Sequence, residues 1–185
     1  MFIQTESTPN PATLKFLPGR TVLADGAMEI TDADSAGVSP LARALFAIDG
    51  VTGVMFGDDF ISVTKREGEW QHLKPAILGA IMEHYVSGLP LLENPGAAQG
   101  GAEEFFDPKD AATVEAIKEL LDTRVRPAVA GDGGDIAFRG FKDGVVYLAM
   151  KGACSGCPSS TATLKHGIQN LLRHFLPDVR EVEQV

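Results

Sequence analysis

A chain of 185 residues is long enough for one medium domain or two small ones, and 44% hydrophobic with 22% charged residues suits a folded core rather than a disordered chain. The net charge of −9 argues against a nucleic-acid partner and against docking on an anionic membrane, since both need a basic footprint. No stretch approaches the roughly eighteen apolar residues that a membrane span requires. The opening MFIQTESTPNPATLKF has neither a basic and apolar signal pattern nor an Arg-rich amphipathic one. That suits a cytoplasmic protein, or a mitochondrial matrix protein in its processed form.

In chain order, residues 2–5 and 13–17 read as strands around the turn-rich STPNPA, and 41–48 as a helix. Residues 51–56 and 60–65 read as a hairpin around Gly57-Asp58-Asp59, followed by a helix over 71–86. The segment ENPGAAQGGAEEFFDP, residues 93–108, breaks the composition. It is rich in Gly, Ala and acids, and reads as a flexible linker with a mean span of roughly 22 Å. Charge divides at the same place. Residues 1–92 carry 6 basic and 11 acidic groups, the linker 4 acids and no base, and residues 109–185 carry 10 of each.

The second module is the clearer one. Val114, Ile117, Leu121 and Val125 mark one face of a helix over 110–129, capped by Asp107 or Asp110 and kinked or ended by Pro127. AGDGGD follows, read as a turn into a strand rather than as a cation loop, because the oxygen-ligand spacing of a calcium site is absent. Strands over 136–141 and 145–150 flank an Asp143-Gly144 hairpin turn. Residues 158–175 form a helix with Leu164, Ile168, Leu171, Leu172 and Phe175 on one face and Lys165, His166, Gln169, Arg173 and His174 on the other. A short strand over 179–182 closes the order α-β-β-α-β. The fold class is α/β (α+β) in two small modules: 1–92, and 109–185 with the linker between them. The hairpin-then-helix order over 51–86 echoes 136–175, as a common α/β arrangement or an internal repeat. Phe105 and Phe106 read as an anchor for the helix that follows.

Chemistry concentrates in KGACSGCPSS, where Cys154 and Cys157 are the chain's only cysteines. Two thiols three positions apart do not make a secreted disulfide framework, and in a reducing compartment they point to metal or redox chemistry. Glycines at 152 and 156 let the backbone curl so that both sulfurs point the same way, ahead of a helix that Pro158 suits at its first position. The helix N-terminus and turned amide groups favour thiolates and an anionic cluster. One CxxC supplies two ligands, whereas a [4Fe–4S] or [2Fe–2S] cluster normally takes four. His166 lies about 13 Å farther along the helix and His174 farther still, while His72 and His84 belong to the other module. All four read as exposed or edge histidines. The remaining ligands then come from the same loop of a second chain, giving one cluster on a twofold axis. Three other readings of the pair stay open: a thioredoxin-like dithiol oxidoreductase, a zinc-bridged structural dimer and an unligated pair of buried cysteines. The proline that follows Cys157, rather than preceding it, speaks against the first.

The segments VRPAVAGDGGDIAF and KDGVVYLAMKGACSGCPSSTATLKHGIQNLL resemble the C-terminal domain of NifU-like (Nfu) iron–sulfur proteins. STPNPATLKF and IDGVTGVMFGDDFISVTK resemble the Nfu N-terminal domain. The resemblance implies a scaffold or carrier, not an enzyme. It would receive a [4Fe–4S] cluster (or [2Fe–2S]) from an upstream assembly scaffold, hold it as a homodimer, and deliver it to apo-proteins such as lipoyl synthase or aconitase-type dehydratases. The family's ligand positions fall on Cys154 and Cys157, and residues 1–92 take the part of the client-recognition domain.

Overall fold

The computed structural model describes residues 2–24, 26–94, 103–155 and 158–185, with backbone alone for 158–160. Cys157, one of the two expected ligands, lies outside the described residues, as does Gly156. The chain divides into two units, Met1–Gly100 and Gly101–Val185, each built on its own hydrophobic cluster.

In the first unit, strands β1 (Gln4–Ser7), β2 (Thr13–Leu17), β3 (Met28–Ile30), β4 (Val51–Phe56) and β5 (Ile61–Lys65) form an antiparallel sheet in the order β1-β2-β5-β4-β3. Helices α1 (Pro40–Phe46) and α2 (Trp70–Ser87) complete its core, in which Phe16, Leu41, Leu45, Phe56, Ile61, Ile77 and Ile81 are fully buried. Ser39 caps α1 by accepting the Ala42 N–H at 3.2 Å, and Pro40 takes the first helical position. The first strand starts two residues later than the apolar Phe2 suggests. Phe2 is 79% exposed, so its hydrophobicity is not used in the sheet.

In the second unit, β6 (Phe105–Phe106), β7 (Gly134–Lys142), β8 (Val145–Gly152) and β9 (Glu181–Gln184) form a mixed sheet in that order. The β7–β8 hairpin is antiparallel, and β6 and β9 each join parallel to a neighbour. Positive φ at Asp143 (52°) and Gly144 (81°) makes the tight turn that Asp-Gly predicts. Alternate residues of β8, Val146, Leu148 and Met150, are buried against the helices, which is the period-2 signature of a sheet packed on one face.

The helix expected over 110–129 is neither ended nor broken by Pro127. It runs as α3 (Ala111–Leu120), a π turn (Leu121–Val125) and α4 (Arg126–Gly131). Within the π turn the Arg126 N–H reaches back five residues to the Leu121 carbonyl. This widened turn fits just where a proline lacks its own N–H, so the chain stays helical past it. Val114, Ile117, Leu121 and Val125 are all buried, as their spacing predicts.

The segment between the modules is tied down at both ends. Leu92 is buried in the first core, and Glu93 donates its N–H to the Val38 carbonyl and pairs with Arg43 at 2.5 Å. Phe105 and Phe106 pair with Gly140 and Phe141 as an edge strand rather than only anchoring the next helix. Asp107, not Asp110, supplies the cap, accepting the Lys109 N–H at 3.0 Å.

Candidate functional site

The last residue of β8, Gly152, has φ 64° and turns the chain out of the sheet. Ser155 folds back on it: its N–H and its hydroxyl both donate to the Gly152 carbonyl, at 3.1 and 3.0 Å. The turn is held from two other sides. The Ala153 N–H donates to the Gly133 carbonyl at 3.2 Å, and the Thr161 hydroxyl on helix α5 (Pro158–Phe175) donates to the Cys154 carbonyl at 2.9 Å. Cys154 therefore sits between the sheet and the first turns of α5, in a loop whose backbone is fixed by hydrogen bonds. The strand–CxxC–helix context expected from sequence is present up to Ser155.

The GDGGD run packs directly beside this turn. Gly134 opens β7 opposite Gly152, and Asp135 faces Lys151 across the ladder. Cys154 itself is only 6% exposed and belongs to the hydrophobic cluster of the unit, together with Met150, Ile168 and Leu172. Its sulfur lies against the Cα of Gly134, close enough that a Cβ there would fall inside van der Waals contact. Sequence reasoning placed both sulfurs in the loop ahead of the helix, pointing the same way. For Cys154 the loop assignment stands, but the side chain turns inward.

Asp135 is one of the few buried charged residues among those described, and its partner is an arginine. Arg126 grips its carboxylate with two prongs, Nε–Oδ1 at 3.0 Å and Nη2–Oδ2 at 3.2 Å. Arg126 also reaches Asp122, one turn earlier, at 3.2 Å. The paired Asp135 carboxylate, with a smaller part from Asp122, raises the Arg126 pKa above its ordinary value. The sequence marked GDGGD as a turn and left Arg126 unremarked. The signal that could have found it is its place eight residues ahead of Gly134, on the helix that delivers the chain to that turn.

The histidines fall as expected in three cases. His72, His166 and His174 are exposed, and His174 makes an edge contact with Phe175 at 5.0 Å. His84 differs, lying buried on the face of α2 that carries Leu73, Ile77 and Ile81. The polar face of α5 is also put to use: Lys165 pairs with Glu183 at 3.2 Å, and the Gln169 Oε1 accepts the Val182 N–H at 3.2 Å, docking the helix on β9. Phe175, expected on the apolar face, is 45% exposed, with the Arg124 guanidinium 5.0 Å from its ring centroid. Among the described residues, no three His, Cys, Asp or Glu side chains converge as a metal site. The donor available at the turn is a thiol, and a soft thiolate suits iron–sulfur clusters and zinc alike.

Comparison with known proteins covers both units. Residues 3–88 match the family described as "Scaffold protein Nfu/NifU N terminal", and residues 117–183 match the "NifU-like domain". The human protein named "NFU1 iron-sulfur cluster scaffold homolog, mitochondrial" is 52% identical over 188 residues, covering all of this chain and 72% of its own length. A Drosophila sechellia protein of the same name is 52% identical over 187 residues, and the chain spans 65% of its length. The Arabidopsis thaliana "NifU-like protein 4, mitochondrial" is 50% identical, with 66% of its length covered. A solution structure of a NifU-like protein from Saccharomyces cerevisiae aligns with a TM-score of 0.47 at 27% identity, over 51% of this chain and 86% of that one.

Proposed function

Since this chain belongs to the Nfu/NifU-like family of iron–sulfur cluster scaffold proteins, we propose that it carries a [4Fe–4S] cluster as cargo, held between two copies through Cys154 and Cys157, and passes it to apo-proteins. The observation that supports this reading is the position of Cys154, the first cysteine of the CxxC, just past the end of β8. There a hydrogen-bonded turn leads from the sheet toward the N-terminus of α5. The donor chemistry fits the cargo: thiolates are the normal ligands of such clusters, and two per chain make four in a twofold dimer. The second module's balance of 10 basic and 10 acidic residues lets two copies approach without net repulsion.

A carrier needs ligands that hold a cluster and then release it, and sharing four thiolates between two chains provides for both. On this reading the cluster is delivered rather than used for turnover, and the protein is not itself an enzyme. The upstream partner is a scaffold that assembles the cluster, and the downstream partners are apo iron–sulfur proteins. The relatives named above carry "mitochondrial" in their names, and the mitochondrial matrix and the cytoplasm are both compartments where thiols stay reduced. Among the described residues no helix is long and apolar enough to cross a membrane.

The test is anaerobic reconstitution of the parent protein and of Cys154→Ser and Cys157→Ser. Each serine variant should lose the brown cluster absorbance and the dimer while keeping the circular dichroism of the parent. A full cluster load in either variant contradicts the bridging role. A colourless parent that retains stoichiometric zinc favours the zinc-bridged dimer, and reversible disulfide cycling without bound metal favours dithiol exchange.

A further inference from the structure

A cluster iron must come within about 2.3 Å of a ligating sulfur, the distance typical of metal–thiolate bonds. Cys154 is 6% exposed, packed among apolar neighbours and against the backbone of β7. A sulfur packed against β7 in that way is turned away from an iron shared with a second chain. Either the sulfur moves when cargo arrives, or it is not a ligand.

Gly134 is what makes the buried position possible. Its φ is outside the positive range found at its neighbour Gly133 (78°), so its backbone would accept a side chain. Space forbids one. A Cβ on Gly134 would overlap the Cys154 sulfur, stand 3.1 Å from the Cys154 Cβ and 2.9 Å from the Lys151 carbonyl oxygen. The two glycines of the run thus do different jobs. Gly133 makes the turn and supplies the carbonyl that receives Ala153, while Gly134 leaves room for the sulfur.

We propose that Gly134 is a positioning residue of the cluster site: its bare Cα forms a seat that stores the Cys154 sulfur in the empty protein, and the sulfur leaves this seat to take up cargo. The inference rests on the reading of Cys154 as a cluster ligand. It adds an apo conformation in which that ligand is covered. A stored thiol is shielded from oxidants and from stray metal, because reactivity follows thiolate character and exposure. Loading then draws on the population with the sulfur turned out, so the seat competes with ligation and anything that weakens it speeds uptake.

The seat is tested first without any cluster. In a Cys157→Ala background Cys154 is the only thiol, and its alkylation by iodoacetamide reports on its exposure. The native protein should react on the order of tenfold or more slowly than the same protein in urea, as expected for a nearly buried thiol. Protection below about threefold overturns the seat, whatever any further variant does. Gly134→Ala should raise the native alkylation rate by about tenfold, with unchanged circular dichroism. Gly131→Ala is the control, because the same methyl there meets nothing within 4 Å. Equal alkylation rates in folded Gly134→Ala and Gly131→Ala overturn the positioning role; if Gly134→Ala does not fold, the protection ratio of the parent decides.

With both cysteines restored, Gly134→Ala should take up cluster severalfold faster than Gly131→Ala during anaerobic reconstitution. Faster alkylation with unchanged or slower uptake overturns the claim that the seat competes with ligation. Faster alkylation with no cluster in any of the proteins, the parent included, overturns the functional reading and leaves the seat standing.

Discussion

At the scale of single residues, the site depends on groups that chemistry alone would not have singled out. The Arg126–Asp135 pair ties the helix ahead of the turn to the first residues of β7. The Asp135 side chain is 9% exposed and that of Arg126 is 36% exposed, so the pair is covered mainly on the carboxylate side. Arg126→Ala leaves a nearly buried carboxylate without its partner and should cost about 1–3 kcal/mol in urea unfolding. Arg126→Lys keeps the charge but not the fork that matches two oxygens, so it should recover only part of the loss. A cost below about half a kcal/mol for the alanine variant would mean that water replaces the arginine fully. The turn residues themselves were legible: GDGGD and Asp143-Gly144 both stand at the turns their chemistry predicts. The contact between GDGGD and Cys154 was not legible. Gly134 and Cys154 are twenty positions apart, and only the β7–β8 register, Gly134 opposite Gly152, brings them together.

Among the elements, helices with long apolar faces were the easiest to read. Val114, Ile117, Leu121 and Val125 fill one stripe and are buried together, so the period decides the assignment. β3 and β6 are three and two residues long, too short to show a period, and both are held in place by a neighbouring strand rather than by their own pattern. The π turn was hidden for a different reason: a proline in a helical pattern signals an end, and only the backbone shows that the helix widens instead.

Helix α2 carries a consequence that the reading of His84 as exposed or edge missed, since His84 continues the buried stripe of Leu73, Ile77 and Ile81. Burial lowers the His84 pKa below its ordinary value near 6.5, because the charged ring is poorly solvated there. The folded state therefore binds this proton less readily than the unfolded chain does. Stability is highest above the unfolded pKa and falls as pH drops through it. The first unit should lose denaturant resistance from pH 7 toward pH 5, and His84→Gln should flatten that slope. An unchanged slope assigns the loss to another group. Glu93, lowered by its hydrogen bond to Arg43, and Asp32, lowered by Ser35, act in a separate window below their ordinary 4.5 and 3.8.

For the whole molecule, composition announced two units before any strand was placed. The Gly, Ala and acid-rich break at 93–108 separates an acidic first module from a neutral second one, and the division of the chain into two units falls within it. The break is wider in composition than in structure because Leu92, Glu93, Phe105 and Phe106 find partners that composition does not show. Under the proposed function, the second unit holds the cargo and the first recognises the client. Deleting residues 1–92 should then leave cluster loading intact and slow transfer to an apo-protein acceptor. Equal transfer rates from the truncated and the full-length protein would remove the recognition role. In the proposed carrier each chain supplies half of a bridging site, with Cys154 and Cys157 as that half. Iron, acid-labile sulfide and native mass measured together on the anaerobically reconstituted full-length protein test it most directly. About four irons and four sulfides per dimer are expected, as a [4Fe–4S] cluster on four thiolates requires. A monomer carrying a complete cluster, or a dimer holding zinc and no sulfide, would contradict it.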